Sequence, residues 1–267
     1  MALLVVLWTL LLVGIVGASV ASEARKQGLL ARNGAASART EAAAEGGVIR
    51  AIAGLIDPRP ELAWRADRSW HRFTLDGIAV EVRIADEAGK TDINTAAPEL
   101  IAAILQVMGA PADVAFAVDA AVTEMRSGAV TGQPRGFETT SELSGVPGMT
   151  PPLFERVAPF LTVLTRARGV DPSVAPREVL AALTGRDPSV AAAVATAQSG
   201  GPTAALPSSD YLSPTQHSVF TIEAIASEGR TRYAREATIR LTHNAEIPFL
   251  VHAWSRRQGQ PPPAGAN

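Results

Sequence analysis

The sequence predicts an α+β fold in which one sheet is interrupted by a helical insertion. Three observations predict this class: a long run of helix-forming residues at the start, an alternating strand pair near residue 80, and further alternating segments after residue 217, beyond a helical block. Strands that flank a helical block in the chain form one sheet when they meet in space, so we expect the two strand regions to pair.

The first element is an apolar stretch of 22 residues with no charge before Glu23. As a helix, at about 1.5 Å per residue, it would span roughly 30 Å, the apolar thickness of a bilayer. The pattern favours a retained transmembrane segment, with a cleavable signal peptide as the alternative, because no Lys or Arg precedes the apolar run. Arg25 and Lys26 follow it, and the positive-inside rule by itself would place the rest of the chain in the cytoplasm.

Helix-forming residues continue beyond the apolar stretch at helical spacing, which predicts one long helix. Pro58 and Pro60 should end it, since proline lacks a backbone donor and restricts the residue before it. Next, apolar residues alternate from Ile78 to Ile84 on one side of an Asp76-Gly77 pair, which predicts a β-hairpin.

The middle of the chain has helical periodicity at 98–109, 112–128, 137–164 and 177–198, with a capping box predicted at Thr139 and Glu142. After a Gly-, Pro- and Ser-rich connection, three segments near the C-terminus alternate as strands do. The resulting predicted organisation has six parts: a transmembrane segment 1–22, a continuing helix 23–57, the first part of the α+β domain 58–94, an inserted helical domain 95–200, the remaining strands 201–255 and a disordered tail 256–267.

Charge and cysteine usage exclude several classes of function. A net charge of −2 gives no global field that would favour DNA or anionic lipid. The absence of cysteine excludes disulfides, thiolate catalysis and cysteine metal sites, and leaves the redox compartment open.

The stretch DEAGKTDINTAAPEL, residues 86–100, carries the densest polar chemistry. It lacks the first glycine of a phosphate loop, because Ile84 occupies that position, and its ligand spacing does not fit an EF-hand. An irregular hard-cation site for calcium and a solvated turn both remain open. The candidate ligands are Asp86, Glu87, Asp92 and Asn94.

The same stretch is also predicted to lead from the sheet into the helical block. In this interpretation Gly89 lets the strand turn, Asn94 or Thr95 caps the next helix, and Pro98 lies in its first turn.

No catalytic residue is indicated by a motif. The four histidines do not occur in HxxxH or HExxH spacing, and no Gly-x-Ser-x-Gly elbow is present. We therefore expect structural or surface histidines and no enzyme activity, although carboxylate catalysis without a motif is left open.

Two segments of the helical block, DINTAAPELIAAILQVMG and GFETTSELSGVPGM, resemble paired helix-hairpin-helix modules that bind nucleic-acid backbone. This resemblance implies an alternative function, a membrane-anchored DNA-binding protein similar to competence receptors. The charge of residues 97–166 opposes it: four basic residues face seven acidic ones, and phosphate binding gains its affinity from Lys and Arg.

Three segments together resemble a different family, the K-type minor pseudopilins of type II secretion (general secretion pathway protein K). They are the N-terminal MALLVVLWTLLLVGIVGASVASEARKQ, the junction DEAGKTDINTA and the later GFETTSELSGVPGMTPPLFERVAPFLTV. The likeness covers residues 1 to about 170 in these segments and the remainder by its strand pattern.

This resemblance implies a pseudopilin fold: a long N-terminal transmembrane helix packed on an antiparallel sheet, with a large helical domain inserted between strands. It also implies a non-enzymatic subunit at the tip of the pseudopilus, with I- and J-type minor pseudopilins as partners and calcium as a possible cofactor. This resemblance implies no nucleic-acid partner. Its location would be the inner membrane, in a single pass, with the globular domain in the periplasm and other type II secretion inner-membrane components nearby.

The resemblance also assigns roles to the first residues. Met1 would be the mature N-terminus left by prepilin peptidase, and Val5 stands where most pilins have glutamate. The absence of that charge suits a subunit that is inserted first and caps the tip, because no subunit lies above it whose N-terminus a glutamate would neutralise. A carboxylate buried in lipid without a partner is costly. The residues expected on the apolar surface of this membrane and assembly helix are Leu3, Leu4, Val5, Val6, Leu7 and Trp8.

Overall fold

The computed structural model describes residues 2–128, 135–185, 190–192, 194–195, 209–213, 217–242 and 244–257. Within the first helix, the side chains of residues 3, 5, 9, 11, 13, 16, 18, 20 and 21 lie outside the described part. The second short helix predicted at the end of 177–198 is only partly described, and the predicted tail lies outside it from residue 258 onward.

A single helix, α1, runs over Ala2–Ile56. It ends directly before Asp57, two positions before Pro58, as predicted from the prolines. Trp64 then folds back on the end of the helix, where its backbone N–H donates to the Gly54 carbonyl at 2.9 Å. In the described part of the chain, no helix has both the length and the apolar character that crossing a membrane requires.

The main sheet consists of five antiparallel strands: β1 Asp67–Leu75, β2 Ile78–Asp86, β5 Val219–Glu228, β6 Thr231–Leu241 and β7 Phe249–Arg256. Their order across the sheet is β1-β2-β5-β6-β7. The first pair is the predicted hairpin, and Asp76 and Gly77 at its turn both have positive φ, 48° and 79°.

The two distant strand regions meet through β2 and β5, which pair from Ala79 with Ser227 to Asp86 with Phe220. This pairing confirms the expectation that the two strand regions form one sheet. A long N-terminal helix and an antiparallel sheet are therefore both present, as the α+β prediction required.

One hydrophobic cluster lies between α1 and this sheet. Successive residues of a strand point to opposite faces, so Val80, Val82 and Ile84 share the face that α1 covers, and all three are buried. The helix contributes small and branched residues at helical spacing, among them Ala44, Val48 and Ile52.

A second hydrophobic cluster is built from the elements between β2 and β5. It includes three helices, α2 Leu100–Val107, α3 Ala112–Ser127 and α5 Arg177–Thr184, around the fully buried Ile101, Ile104 and Leu105. The helical pattern predicted over 137–164 is only partly correct. It forms a 3₁₀ helix at Thr140–Gly145, α4 at Pro151–Val157 and a 3₁₀ turn at Ala158–Phe160.

The end of that segment is extended, because Leu161 and Thr162 form β4, which pairs in parallel with β3, Thr91 and Asp92. The predicted capping box does form, and the Glu142 carboxylate accepts from the backbone N–H of Thr139 at 2.9 Å.

Candidate functional site: the N-terminal helix and the junction at residues 86–94

The first part of α1 has exposed side chains and the last part is packed on the sheet. Large apolar residues such as Trp8 (62% exposed) and Leu30 (71%) lie on the exposed part, whereas Ala44 and Val48 are fully buried. Exposed apolar residues repeated along a helix indicate contact with another molecule or a lipid phase.

The predicted membrane and assembly residues belong to this exposed part. The side chains of Leu4, Val6, Leu7 and Trp8 are between 56% and 62% exposed. Met1 and the side chains of Leu3 and Val5 lie outside the described residues. The roles assigned to these residues stay predictions.

Polar contacts fix the packed part of α1 to β6. The Arg235 guanidinium lies 3.0 Å from Glu41 Oε1 and 2.5 Å from Glu45 Oε1, and the Tyr233 hydroxyl donates to Glu41 at 2.7 Å. Arg235 is only 8% exposed, so both helix carboxylates hold a cation that lies almost wholly within the protein. The helical spacing of Glu41 and Glu45 brings them to the same side.

The junction at 86–94 links the sheet to the helical elements, and its acidic residues are buried. Asp86 Oδ1 accepts from the backbone N–H of Ala88 at 2.8 Å, and its Oδ2 lies 2.6 Å from His217 Nδ1. Glu87 accepts from the Thr221 hydroxyl at 2.8 Å and pairs with Lys90 at 2.5 Å. Burial raises the pKa of Asp86, although the Ala88 N–H and His217 act in the opposite direction.

His217 is central to this junction because its ring also lies 3.5 Å, through Nε2, from Asp171 Oδ2. Asp171 is 1% exposed, and its backbone N–H donates to the Ala88 carbonyl at 2.8 Å. The ring therefore connects the end of β2 with the loop before α5.

Asp92 and Asn94 hold two other loops. Asp92 Oδ2 accepts from the backbone N–H of Arg166 at 2.8 Å and from the Thr165 hydroxyl at 3.2 Å. The Asn94 amide pairs with the backbone of Phe137 in both directions, accepting at 2.6 Å and donating at 2.9 Å. Each side chain thus has its own protein partners.

The calcium interpretation is not supported by a cluster of ligands. Within the described ranges, no group of three or more His, Asp and Glu side chains is arranged to hold a metal ion. The oxygens of Asp86, Glu87, Asp92 and Asn94 contact different protein groups, as given above. Calcium at these four residues stays a prediction.

The predicted helix cap is wrong. Helix α2 begins at Leu100 after Glu99, which has a left-handed φ of 64°, so neither Asn94 nor Thr95 caps it. The Thr95 hydroxyl instead donates to the Ala167 carbonyl at 2.7 Å. These side chains serve contacts between distant segments, which outweighed the local preference for capping.

The structure also gives Gly89 a role other than the predicted one of letting the strand turn. A Cβ at this position would lie 2.4 Å from the Val174 carbonyl oxygen and 2.8 Å from Ala175 Cα. The glycine is required because another backbone segment passes directly against it.

Replacing Asn94 with aspartate is expected to lower the free energy of unfolding by about 2 kcal/mol at neutral pH. An ionised carboxylate accepts from Phe137 N–H but cannot donate to the Phe137 carbonyl. Next to that carbonyl, the folded-state pKa of the introduced carboxyl group should be raised, so the lost stability should return as pH falls through that pKa.

Chemical denaturation at pH 7.5 and pH 4.5 measures this difference. Asn94→Ala is the control because it removes both hydrogen bonds and carries no titratable group. An equal loss at both pH values for the aspartate variant would contradict the two-way amide pair.

Sequence reasoning missed three of the residues that organise these contacts: Arg235, His217 and Asp171. Arg235 is 194 residues from Glu41, and His217 is 131 residues from Asp86. The sequence predicts structural or surface roles for the histidines, and His71, stacked on Trp64 with ring centroids 4.1 Å apart, fits that prediction.

No family model and no curated protein matches this sequence. The fold matches a chain of the crystal structure of the GspK-GspI-GspJ complex from the enterotoxigenic Escherichia coli type 2 secretion system, with a TM-score of 0.55 and 14% identity. The match covers 89% of this chain and 100% of the other. The resemblance to K-type minor pseudopilins is thus confirmed at the level of the fold.

Proposed function

We propose that this chain is a K-type minor pseudopilin, a non-enzymatic subunit at the tip of the type II secretion pseudopilus. It would initiate assembly with I- and J-type minor pseudopilins and support protein export across the outer membrane. The observation that carries this proposal is α1, which packs on an antiparallel sheet over its last part and presents apolar side chains over its first part. The fold match to a chain of the GspK-GspI-GspJ complex supports it.

The location forms part of the same proposal. We place the protein at the inner membrane with its globular domain in the periplasm, because the sequence begins with 22 residues that carry no charge and resembles mature pseudopilins. Processing by prepilin peptidase belongs to the same proposal, because mature pseudopilins are its products. Membrane fractionation and N-terminal sequencing of the protein from its own organism would test both statements.

The proposed assembly role predicts that the full chain co-purifies with the I- and J-type minor pseudopilins of the same organism. Leu30 is 71% exposed on α1, so Leu30→Asp should reduce recovery of the partners at least about ten-fold without changing the unfolding temperature, because it places a charge on an apolar contact surface. Ser37→Asp is the control, since it adds the same charge to an exposed polar position of α1.

Failure of the unaltered chain to recover either partner would overturn the proposal. Deletion of the gene should also abolish type II export. Salt-dependent binding of the chain to duplex DNA, with no partner recovered, would instead favour the helix-hairpin-helix alternative.

A further inference from the structure

A cleft of about 890 Å³ lies on the face of the sheet opposite α1. Its floor consists of side chains from β2, β5, β6 and β7, including Arg83, Thr221 and Thr238. These side chains alternate along the strands with the core residues and therefore point to the opposite face of the sheet. Its other wall is formed by residues 158–164 with 138–140. The cleft thus lies between the sheet and the helical elements, apart from both the exposed part of α1 and its packed part.

Most charges in the cleft are already paired. Arg83 and Arg257 both contact Glu223, at 2.5 Å and 2.7 Å, and Lys90 pairs with Glu87 at 2.5 Å. These pairs make the floor close to neutral, and the Thr221 and Thr238 hydroxyls, 3.0 Å apart, add a polar centre.

Arg68, at the β1 end of the cleft, has no ion pair among the residues that the structure describes. Its Nε atom is shielded from solvent and has no hydrogen-bond partner among the described residues. Buried donors without a partner are uncommon, and an unpaired cationic donor is the most costly kind. Burial lowers the pKa of the Arg68 guanidinium, an effect that the charge of Glu87 opposes.

The backbone at Arg68 is also unusual. Its φ is +67°, a left-handed conformation that long side chains seldom adopt, and it lies within the register shift between Asp67 and Trp70. Such a bulge redirects a side chain, here into the lining of the cleft.

The width of the sheet beneath the cleft fits an extended peptide. Strands lie about 4.8 Å apart, so the distance from Arg68 on β1 to the end of β7 is roughly 19 Å across the four spacings of this sheet. At about 3.3 Å per residue this length accommodates five or six extended residues. A single small anion would occupy only the end of the cleft at Arg68.

We propose that this cleft binds an extended segment of a protein partner and that a carboxylate side chain of the segment pairs with Arg68. The carboxylate would pair with the Arg68 guanidinium, whose planar geometry matches a carboxylate well. The paired charges of the floor would leave the remainder of the segment to polar and apolar contacts with Thr221, Thr238 and Pro159.

The test uses the immobilised full chain and an equimolar mixture of two end-blocked peptide libraries, acetyl-X-X-Glu-X-X-amide and acetyl-X-X-Gln-X-X-amide. Retained peptides are quantified by mass spectrometry. The glutamate library should be enriched roughly ten-fold over the glutamine library, and Arg68→Gln should bring the ratio close to one. Arg230→Gln, which removes one exposed charge at the β5–β6 turn, should leave the enrichment unchanged.

Equal retention of the two libraries, or unchanged enrichment with Arg68→Gln, would overturn the proposal. If Arg68→Gln lowers the yield of folded protein, Arg68→Lys takes its place. The lysine variant should also reduce the enrichment, because an ammonium group lacks the planar set of N–H donors with which a guanidinium binds a carboxylate. Free glutarate is added as a competitor: displacement of the glutamate peptides by an equal concentration of glutarate would overturn the assignment of a peptide ligand.

Discussion

Replacing Ile52 with alanine is expected to lower the free energy of unfolding by about 3 kcal/mol. Ile52 is 3% exposed and belongs to the cluster between α1 and the sheet. Alanine removes three buried carbon atoms, and the sheet beneath cannot close the resulting cavity, because its strands are held by pairing on both sides.

Ile49→Ala provides a matched control for this prediction. Ile49 lies three residues earlier on the same helix but is 53% exposed, so the same substitution should change stability by less than about 0.5 kcal/mol. Both variants alter helix propensity equally, and the difference between them therefore reports burial alone. Urea denaturation of the full chain, followed by circular dichroism, measures both. Similar losses at the two positions would show that α1 is not packed on the sheet through Ile52.

Replacing Gly89 with alanine should destabilise the junction by about 3 kcal/mol, because the added methyl group would meet backbone atoms that cannot rotate away. The nearest would be the Val174 carbonyl oxygen at 2.4 Å and carbon at 2.7 Å. This steric clash can be relieved only if the loop before α5 moves. That movement should break the hydrogen bond from the Asp171 N–H to the Ala88 carbonyl, now 2.8 Å long.

Two measurements test the Gly89 prediction: chemical denaturation, and hydrogen exchange at the Asp171 amide, which should lose protection. Gly28→Ala is the control, because Gly28 lies in α1 and an added Cβ would meet nothing within 4 Å beyond the helix's own adjacent backbone. There alanine should stabilise the chain by about 0.5–1 kcal/mol through its higher helix propensity. A stable Gly89→Ala variant with full protection at Asp171 would show that the two loops are further apart than described.

Much of the secondary structure follows from local patterns in the sequence. The end of α1 is encoded by Pro58, the first hairpin by the alternation of Val80, Val82 and Ile84 about an Asp-Gly turn, and the last three strands by similar alternation. These signals are reliable because a helix or a hairpin is decided by residues a few positions apart. The prediction was weaker at 137–164, where α4 forms but short 3₁₀ segments and β4 stand in place of the rest of the expected helix.

The functional surfaces were predicted less completely. The exposed apolar part of α1 was visible in the sequence as an uncharged stretch, and the resemblance to K-type minor pseudopilins agreed with the fold. The cleft at Arg68 and the contacts of Arg235 with α1 were not visible, since neither residue belongs to a recognisable motif. Their importance comes from burial and from partners that only the folded chain provides.

The junction at residues 86–94 shows where the division lies. The sequence by itself determined that polar, short side chains interrupt the alternation of β2 and that helical periodicity begins soon after. Only the tertiary structure decided what those side chains do, because their partners are far away in the chain: Asn94 contacts Phe137, 43 residues on, and Asp92 contacts Arg166, 74 residues on. Local propensity is set by neighbouring residues, whereas a buried polar group must take whichever partner the packing of distant segments brings within hydrogen-bond reach.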